Sequence, residues 1–504
     1  MITNSLPSSL YRVEQVREMD RIAIEDHGIP GYTLMQRAAS AAYDALIQHW
    51  PASKKIIVLC GAGNNGGDGY LFACQASAAG LDVSVLAMTD VQALQGDARQ
   101  AAMAWHNLQG KILSMEEVGS CIHSSDVLVD ALLGTGVQRD VEGDWLQLIE
   151  WINDSGKPVL SIDIPSGLQA DTGVVMGIAV RANVTVSYIG LKQGCFTAQG
   201  PEYSGKLVYD DLQIPPVIFE AMHADTTVLA HDLIGVNLPA RKLDCHKGLN
   251  GHVLVVGGDH GMSGAVQLAA SGAARAGAGL VSIATRRIHH AVITANHPEL
   301  MCHAVESAAD LSVLLKKVTV VIVGPGLGQS DWGKELLSVV LQTRLPLVVD
   351  ADALNLLAAD PVQRGHWVLT PHPGEAARLL SCATQKVQRD RFKSVQALAD
   401  QYNAVAVLKG NGSLVFSRER QHVWLCSQGN PGMATAGMGD ILTGVIAALI
   451  AQGLSLENAA RIGVMVHASA GDDAAKEGQR GMLATDLLGG IRRWVNRDNL
   501  EAWK

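Results

Sequence analysis

Short apolar runs, each closed by small or polar residues, recur along the chain at intervals that suit alternating strands and helices. In the first part, residues 56–59, 82–88, 126–130, 158–162 and 183–189 are short and apolar enough to predict buried parallel strands. Residues 10–50 carry helical spacing instead, broken at Gly28-Ile29-Pro30-Gly31, where glycine and proline stop a helix. From residue 252 the strand pattern returns at 253–256, 280–284, 318–323, 346–349, 367–369 and 404–408, with helices of small residues between. Between 201 and 246 periodicity fades, and Ile214-Pro215-Pro216 and Leu238-Pro239 interrupt the chain. A boundary is expected near residue 220, giving domains 1–220 and 221–504. Alternating strand and helix in both parts predicts two α/β domains, the second doubly wound.

Composition agrees with that outline. The chain has 504 residues, too many for one ordinary core. Its 52 glycines and few Phe and Tyr fit many tight strand-to-helix turns. A net charge of −10 argues against nucleic acid and anionic membranes, yet leaves nucleotides open, because a helix start binds phosphate locally. Eight scattered cysteines lack C-x-x-C spacing, so neither a disulfide framework nor a zinc site is expected. The doublets Cys245-His246 and Cys302-His303 read as structural. The first dozen residues lack a charged and apolar leader, and the longest apolar run, 441–454, is too short to cross a bilayer. A cytoplasmic protein is the expectation.

The polar residues that close the runs carry the candidate chemistry. After the first strand comes Gly61-Ala62-Gly63-Asn64-Asn65-Gly66-Gly67-Asp68-Gly69, which in its strand–turn–helix setting matches the Rossmann-like dinucleotide fingerprint, with Asp90 as a candidate ribose acid. Asp68 disturbs the simple version, since a carboxylate beside a pyrophosphate repels it unless a cation intervenes. A polar pocket with a bound cation and a plain glycine-rich packing turn both remain open. Later runs end in Asp130 before Leu132-Leu133-Gly134-Thr135-Gly136, in Asp163-Ile164-Pro165-Ser166-Gly167, and in Gly190-Leu191-Lys192. Ligands of open parallel sheets bind beyond the carboxyl ends of strands, so Asp68, Asp130, Asp163 and Lys192 can converge there. Taken singly, each reads as a turn or cap residue, and it is the run of several that favours a site.

In the second part the strongest stretch is N-P-G-M-A-T-A-G-M-G-D-I-L-T-G, residues 430–444. Gly437 and Gly439 let backbone approach a ligand closely, and Asp440 falls in the first turn of a helix whose Ile441, Leu442, Val445, Ile446 and Leu449 share one face. Asp440 either caps that helix or works on a substrate hydroxyl or metal. No G-K-[ST] follows, so the common P-loop is excluded. His372, between prolines, is either a rigid turn residue or a ligand contact. Lys409 before Gly410 either meets a phosphate or is a solvated loop lysine.

These blocks have family likenesses. A-G-N-N-G-G-D-G, D-x-L-L-G-T-G and S-I-D-I-P-S-G resemble the YjeF N-terminal domain, the NAD(P)H-hydrate epimerase, over residues 11–211. G-P-G-L-G, D-A-D-A-L-N, T-P-H-P-G-E and the closing G-M-G-D resemble the ribokinase-like, ADP/ATP-dependent NAD(P)H-hydrate dehydratase, from about residue 224 onward. The resemblance implies a Rossmann-like α/β sandwich followed by a ribokinase-like α/β domain, repairing hydrated NADH and NADPH.

Carried over, it places the substrate of the first domain on Asn64, Asn65, Gly66, Gly67, Asp68, Asp130, Ala131, Leu132, Leu133, Gly134, Thr135, Gly136 and Asp163. It places potassium among Asn65, Asp126 and Ser166, oxygen donors that suit a hard cation. In the second domain it places the hydrated nicotinamide on Ala265, Gly326, His372 and Asp440, and ADP with magnesium on Lys409, Gly410, Asn411, Gly412, Ser413 and Gly439. Asp440 would take the substrate hydroxyl proton during phosphoryl transfer, and Asp163, with Lys192 second, would serve epimerisation. The implied partners are NADHX, NADPHX and ADP, in a homo-oligomer without nucleic acid or membrane. A kinase with a stable phosphoryl product, a non-catalytic nucleotide sensor in the first half, and an NAD-dependent dehydrogenase are the competing readings.

Overall fold

The computed structural model describes residues 6–496; the leader expectation concerns, in part, residues outside that range. The chain divides into two compact units, Met1–Thr227 and Val228–Lys504.

The first unit is built on seven parallel strands in the order Lys111–Leu113, Asp82–Ala87, Lys55–Cys60, Val127–Ala131, Val159–Ile162, Val184–Tyr188, Lys206–Asp210. Side chains alternate across a strand, and both faces here are apolar. Ile56 and Val58 join a core with the helices Gly31–His49 and Asn64–Ala78, whereas Ile57 and Leu59 join one with the helix Asp144–Asp154. That explains runs without polar alternation. The edge strand Lys206–Asp210 lies where the pattern faded, because an edge strand is only half covered and reads as mixed. A further short strand, Ser9–Tyr11, pairs with Leu191–Lys192 and with Thr226 and Thr227.

The chain runs from Lys55–Cys60 outward to one edge and returns to Val127–Ala131 to build the other. The carboxyl ends of these two strands therefore diverge at a topological switch point, where open α/β sheets bind ligands. Gly61 is required there, since a Cβ would lie 1.8 Å from the Leu132 carbonyl oxygen.

The second unit repeats the logic. Its strands run Met301–Ala304, Leu280–Thr285, His252–Val256, Val320–Val323, Leu347–Val349, Trp367–Leu369 and Val405–Leu408 in parallel, then Ser413–Ser417 and His422–Cys426 as an antiparallel hairpin. The hairpin and the edge strand Met301–Ala304 were not among the sequence expectations. Here the switch lies between His252–Val256 and Val320–Val323, and a Cβ on Gly257 would meet the Pro325 carbonyl at 2.1 Å. The helix Met438–Ala451 is buried along most of its length and lies on Ser263–Arg275 at very short range: a Cβ on Gly444 would sit 2.0 Å from the Ala269 carbonyl. Among the described residues, no helix is long and apolar enough to cross a membrane.

Candidate active sites

In the first unit a cavity of about 1100 Å³ opens over the switch point. Asn64, Asn65, Asp68, Leu132, Leu133, Gly134, Thr135, Gly136 and Asp163 line it. Gly66 and Gly67 do not. They sit against the Gly61 carbonyl and the Met35 side chain, and act by letting the helix start close down. Ala131 is core, fully buried at the strand end.

Asp130 lies beneath the floor. Its carboxylate accepts from Ser161 Oγ at 2.8 Å, from Ser166 N at 2.9 Å and from Ser166 Oγ at 2.5 Å. Burial raises its pKa against those hydrogen bonds. Ser166 Oγ also accepts from Leu133 N at 2.8 Å, and Asn65 packs against neighbouring Gly134. The Asn65 amide is buried, and neither its oxygen nor its nitrogen has a hydrogen-bond partner among the described residues. An orphaned amide beside a buried carboxylate and hydroxyl is a set of oxygens that suits a cation.

Asp126 is not part of it. It precedes the strand, and its Oδ2 accepts from the Lys54 and Lys55 N–H groups at 2.8 and 2.9 Å, which hold its pKa down. Four residues of strand place it roughly 13 Å from Asp130, at the amino end of the sheet. The expected trio Asn65, Asp126 and Ser166 is therefore not brought together, because Asp126 bonds Lys54 and Lys55 while Ser166 bonds Asp130. Asp90 caps Gln92 N at 2.8 Å and does not line the cavity.

At the other end of the cavity Asp163 pairs with Lys192 Nζ. Asp163 has φ 66°, a left-handed conformation that a non-glycine residue seldom adopts, and one that recurs at functional sites. Lys192 is fully buried and also donates to the Tyr188 carbonyl at 3.0 Å. Asp68, one turn into its helix, has its pKa driven well up by burial first, then by Asp163 and Asp20. Asp20, Arg17, Tyr188 and the loop from Val137 to Glu142 line the cavity without having been expected. Their signal in sequence is weak. Arg17 and Asp20 look like the solvated face of an amphipathic helix.

In the second unit, Lys409 closes the strand Val405–Leu408 and reaches Asp350 Oδ1 at 2.8 Å. Asp350 also accepts from Thr443 Oγ1 at 2.8 Å, on the helix that carries Asp440. Burial is the largest influence on Asp350 and acts upward, but Lys409 and the hydroxyls outweigh it and hold the carboxyl low. The ammonium lies against the helix start, since a Cβ on Gly439 would stand 3.1 Å from Lys409 Nζ. Gly437, with φ 86°, turns the chain into the helix. Asp440 then sits among acids: burial, Asp350, Asp352 and Glu375 raise its pKa to about 7 while Lys409 opposes them.

His372 caps the short helix Pro373–Leu379, its Nδ1 accepting from Gly374 N at 3.0 Å, and burial lowers its pKa. Glu375, pushed up to about 7 by burial, lies 3.8 Å from Lys409 Nζ. Ala265 and Gly326 are neighbours, with a Cβ on Gly326 falling 3.3 Å from that of Ala265. The loop from Gly410 through Asn411 and Gly412 to Ser413 is held from below by buried Arg391, whose guanidinium donates to the Leu408, Lys409 and Gly412 carbonyls at 3.2–3.4 Å. Asp350, Glu375, Thr443 and Arg391 were missed as site residues. Asp350 alone was legible, because it directly follows a strand.

Fold and crevices define a two-part α/β enzyme whose second part is ribokinase-like. It resembles a ribokinase-like superfamily protein of Enterococcus faecalis, 27% identical, with TM-score 0.51, covering 54% of this chain and 96% of that one. The NAD(P)H-hydrate dehydratase family matches residues 253–493, and the YjeF-related protein N-terminus matches 31–194. The bifunctional NAD(P)H-hydrate repair enzyme of Coxiella burnetii is 50% identical over 97% of this chain and 99% of its own length. That of Escherichia coli is 40% identical over 98% and 95%. The chain belongs to the bifunctional NAD(P)H-hydrate repair enzymes, joining a hydrate epimerase in its first part to a hydrate dehydratase in its second.

Proposed function

We propose that the dehydratase half removes water from the S epimers of NADHX and NADPHX at the expense of ADP, with Asp440 as general base. Hydroxide is a poor leaving group, so the C6 hydroxyl must be converted into a better one. Asp440 takes its proton while the oxygen attacks the terminal phosphorus of ADP, and AMP departs. The N1 lone pair then expels phosphate, and loss of a proton from C5 restores the ring double bond. The sum is hydrate plus ADP giving NAD(P)H, AMP and phosphate.

The observation that carries this reading is a carboxyl titrating near 7 at a glycine-lined helix start, with Lys409 against the same turn. Lys409 and the free N–H groups of the turn stabilise the transferring phosphoryl charge. Among the described residues no group of three His, Cys, Asp or Glu side chains is placed to hold a metal. That suits magnesium brought in on the nucleotide phosphates, where it neutralises their charge. Asp440→Asn is expected to lose two to four orders of magnitude in repair rate, read as returning absorbance at 340 nm, a property of NADH itself. Because Asp440 acts ionised, the rate of the parent should climb as pH rises through about 7 and then level. A variant retaining most of the rate removes Asp440 from the role. A stable phosphorylated product in place of NADH favours a kinase.

In the epimerase half, Asp163 with Lys192 serves the C6 centre. Asn65, Asp130 and Ser166 would hold potassium, which would supply fixed positive charge for binding the anionic coenzyme. Replacing potassium by sodium should slow epimerisation, and Asn65→Ala should abolish the difference between the two salts. Equal rates in both salts for the parent defeat the assignment. An acidic chain acting on soluble coenzymes fits the cytoplasm, and a homo-oligomer is its proposed form, checked by light scattering of the purified protein.

A further inference from the structure

Asp20 lines the epimerase cavity from the helix Val13–Arg21, whereas Asp163 and Lys192 reach it from the carboxyl ends of the sheet. Arg17 precedes it by three residues and so shares its helix face. A Cβ on Gly136 would lie 3.6 Å from Arg17 Nη2, which sets Arg17 beside the glycine turn. One helix face thus spans the cavity, with Arg17 at the glycine-turn end and Asp20 near the Asp163–Lys192 pair. Lys192 answers the charge of Asp163 directly. Asp20 has no hydrogen-bond partner among the described residues. A partly buried carboxylate without a bonded partner is left for a ligand to complete.

We propose that Asp20 is a catalytic residue of the epimerase, exchanging a proton with the C6 oxygen on the ring face turned away from the Asp163–Lys192 pair. The inference rests on the reading of Asp163 as the acid/base of this centre. Inversion at C6 needs proton transfer on both faces. On one face an acid protonates the departing hydroxyl, the C6–O bond breaks, and the N1 lone pair closes an N1=C6 iminium with release of water. On the other, water adds to C6, the electron pair returns to N1, and the water proton passes to the opposite carboxylate. One proton is lent and one recovered, and composition is unchanged. Burial lifts Asp20 to about 6, with Lys192 opposing and Asp163 adding, so near neutral pH it is poised to give and take a proton. Asp68 is also raised well above the usual carboxylate range, by burial first and then by Asp163 and Asp20. Lys192 and Asp163 act on Asp20, and Asp20 acts on Asp68, while Arg17, Asp97, Arg139, Asp140 and Glu142 are the other charged groups lining the cavity.

The test follows R-to-S interconversion by chiral chromatography in the full chain without ADP, for the parent, Asp20→Asn, Asp20→Glu and Asp163→Asn. Asp20→Asn should lower kcat about 100-fold or more, leave KM within about threefold, and erase the limb of the pH profile near 6. Asp20→Glu should recover part of the rate. Dehydration of pure S epimer with ADP should be unchanged in Asp20→Asn, and the far-ultraviolet circular dichroism and thermal unfolding of that variant should match the parent, which certifies the fold of the first unit. An Asp20→Asn enzyme with parental kcat and pH profile overturns the inference. So does one altered only in KM. An unimpaired Asp163→Asn instead overturns the underlying assignment of Asp163, a separate result.

Discussion

At the scale of single residues, both sites keep acids in places where ionisation is unfavourable, and one buried base is treated the same way. His467 lies on the helix Leu456–Ala474, buried, bonded to the Met438 backbone, with Nε2 lacking a partner. Burial depresses its pKa from 6.5 to about 4. The unfolded chain therefore binds a proton below pH 6.5 that the folded chain refuses until about 4. Stability should fall across that window by about 3 kcal/mol, at 1.36 kcal/mol per pKa unit. Denaturant titrations of the parent and of His467→Gln at pH 7 and pH 4.5 check this: the parent should lose more between the two pH values than the variant does. Equal losses refute it.

At the scale of elements, the helix Met438–Ala451 holds Asp440 and Thr443 in place by lying almost backbone to backbone on Ser263–Arg275. A side chain at Gly444 has no room, because the Ala269 carbonyl and the Ala273 nitrogen occupy the space. Gly444→Val should therefore push the helices apart, at a cost of about 1–3 kcal/mol or more in a urea titration. The same shift should displace Asp440 and lower the dehydratase rate while epimerisation persists. A variant with parental stability contradicts the contact. Arg391 plays a comparable part for the Lys409–Ser413 loop, as its planar fork ties three carbonyls that a lysine could not gather at once.

At the scale of the whole molecule, the sequence displayed two α/β units and most of the residues at the ends of their strands, because a buried parallel strand followed by glycine leaves a pattern in one dimension. What escaped has physical reasons. Edge strands such as Met301–Ala304 are half exposed and read as loops. Asp20 and Arg17 sit on a helix face that, by composition, belongs in water. Asp126 could have been placed at the amino end of its strand from the sequence, since the carboxyl end of a strand is the later residue, and Val127–Ala131 ends beside Asp130. Both crevices share one further property. Where Gly61 meets Leu132 and Gly257 meets Pro325, main chain lies directly on main chain. Backbone held that way has no rotamers to freeze when a coenzyme reaches the switch point, so the entropy lost on docking falls on the ligand and the walls.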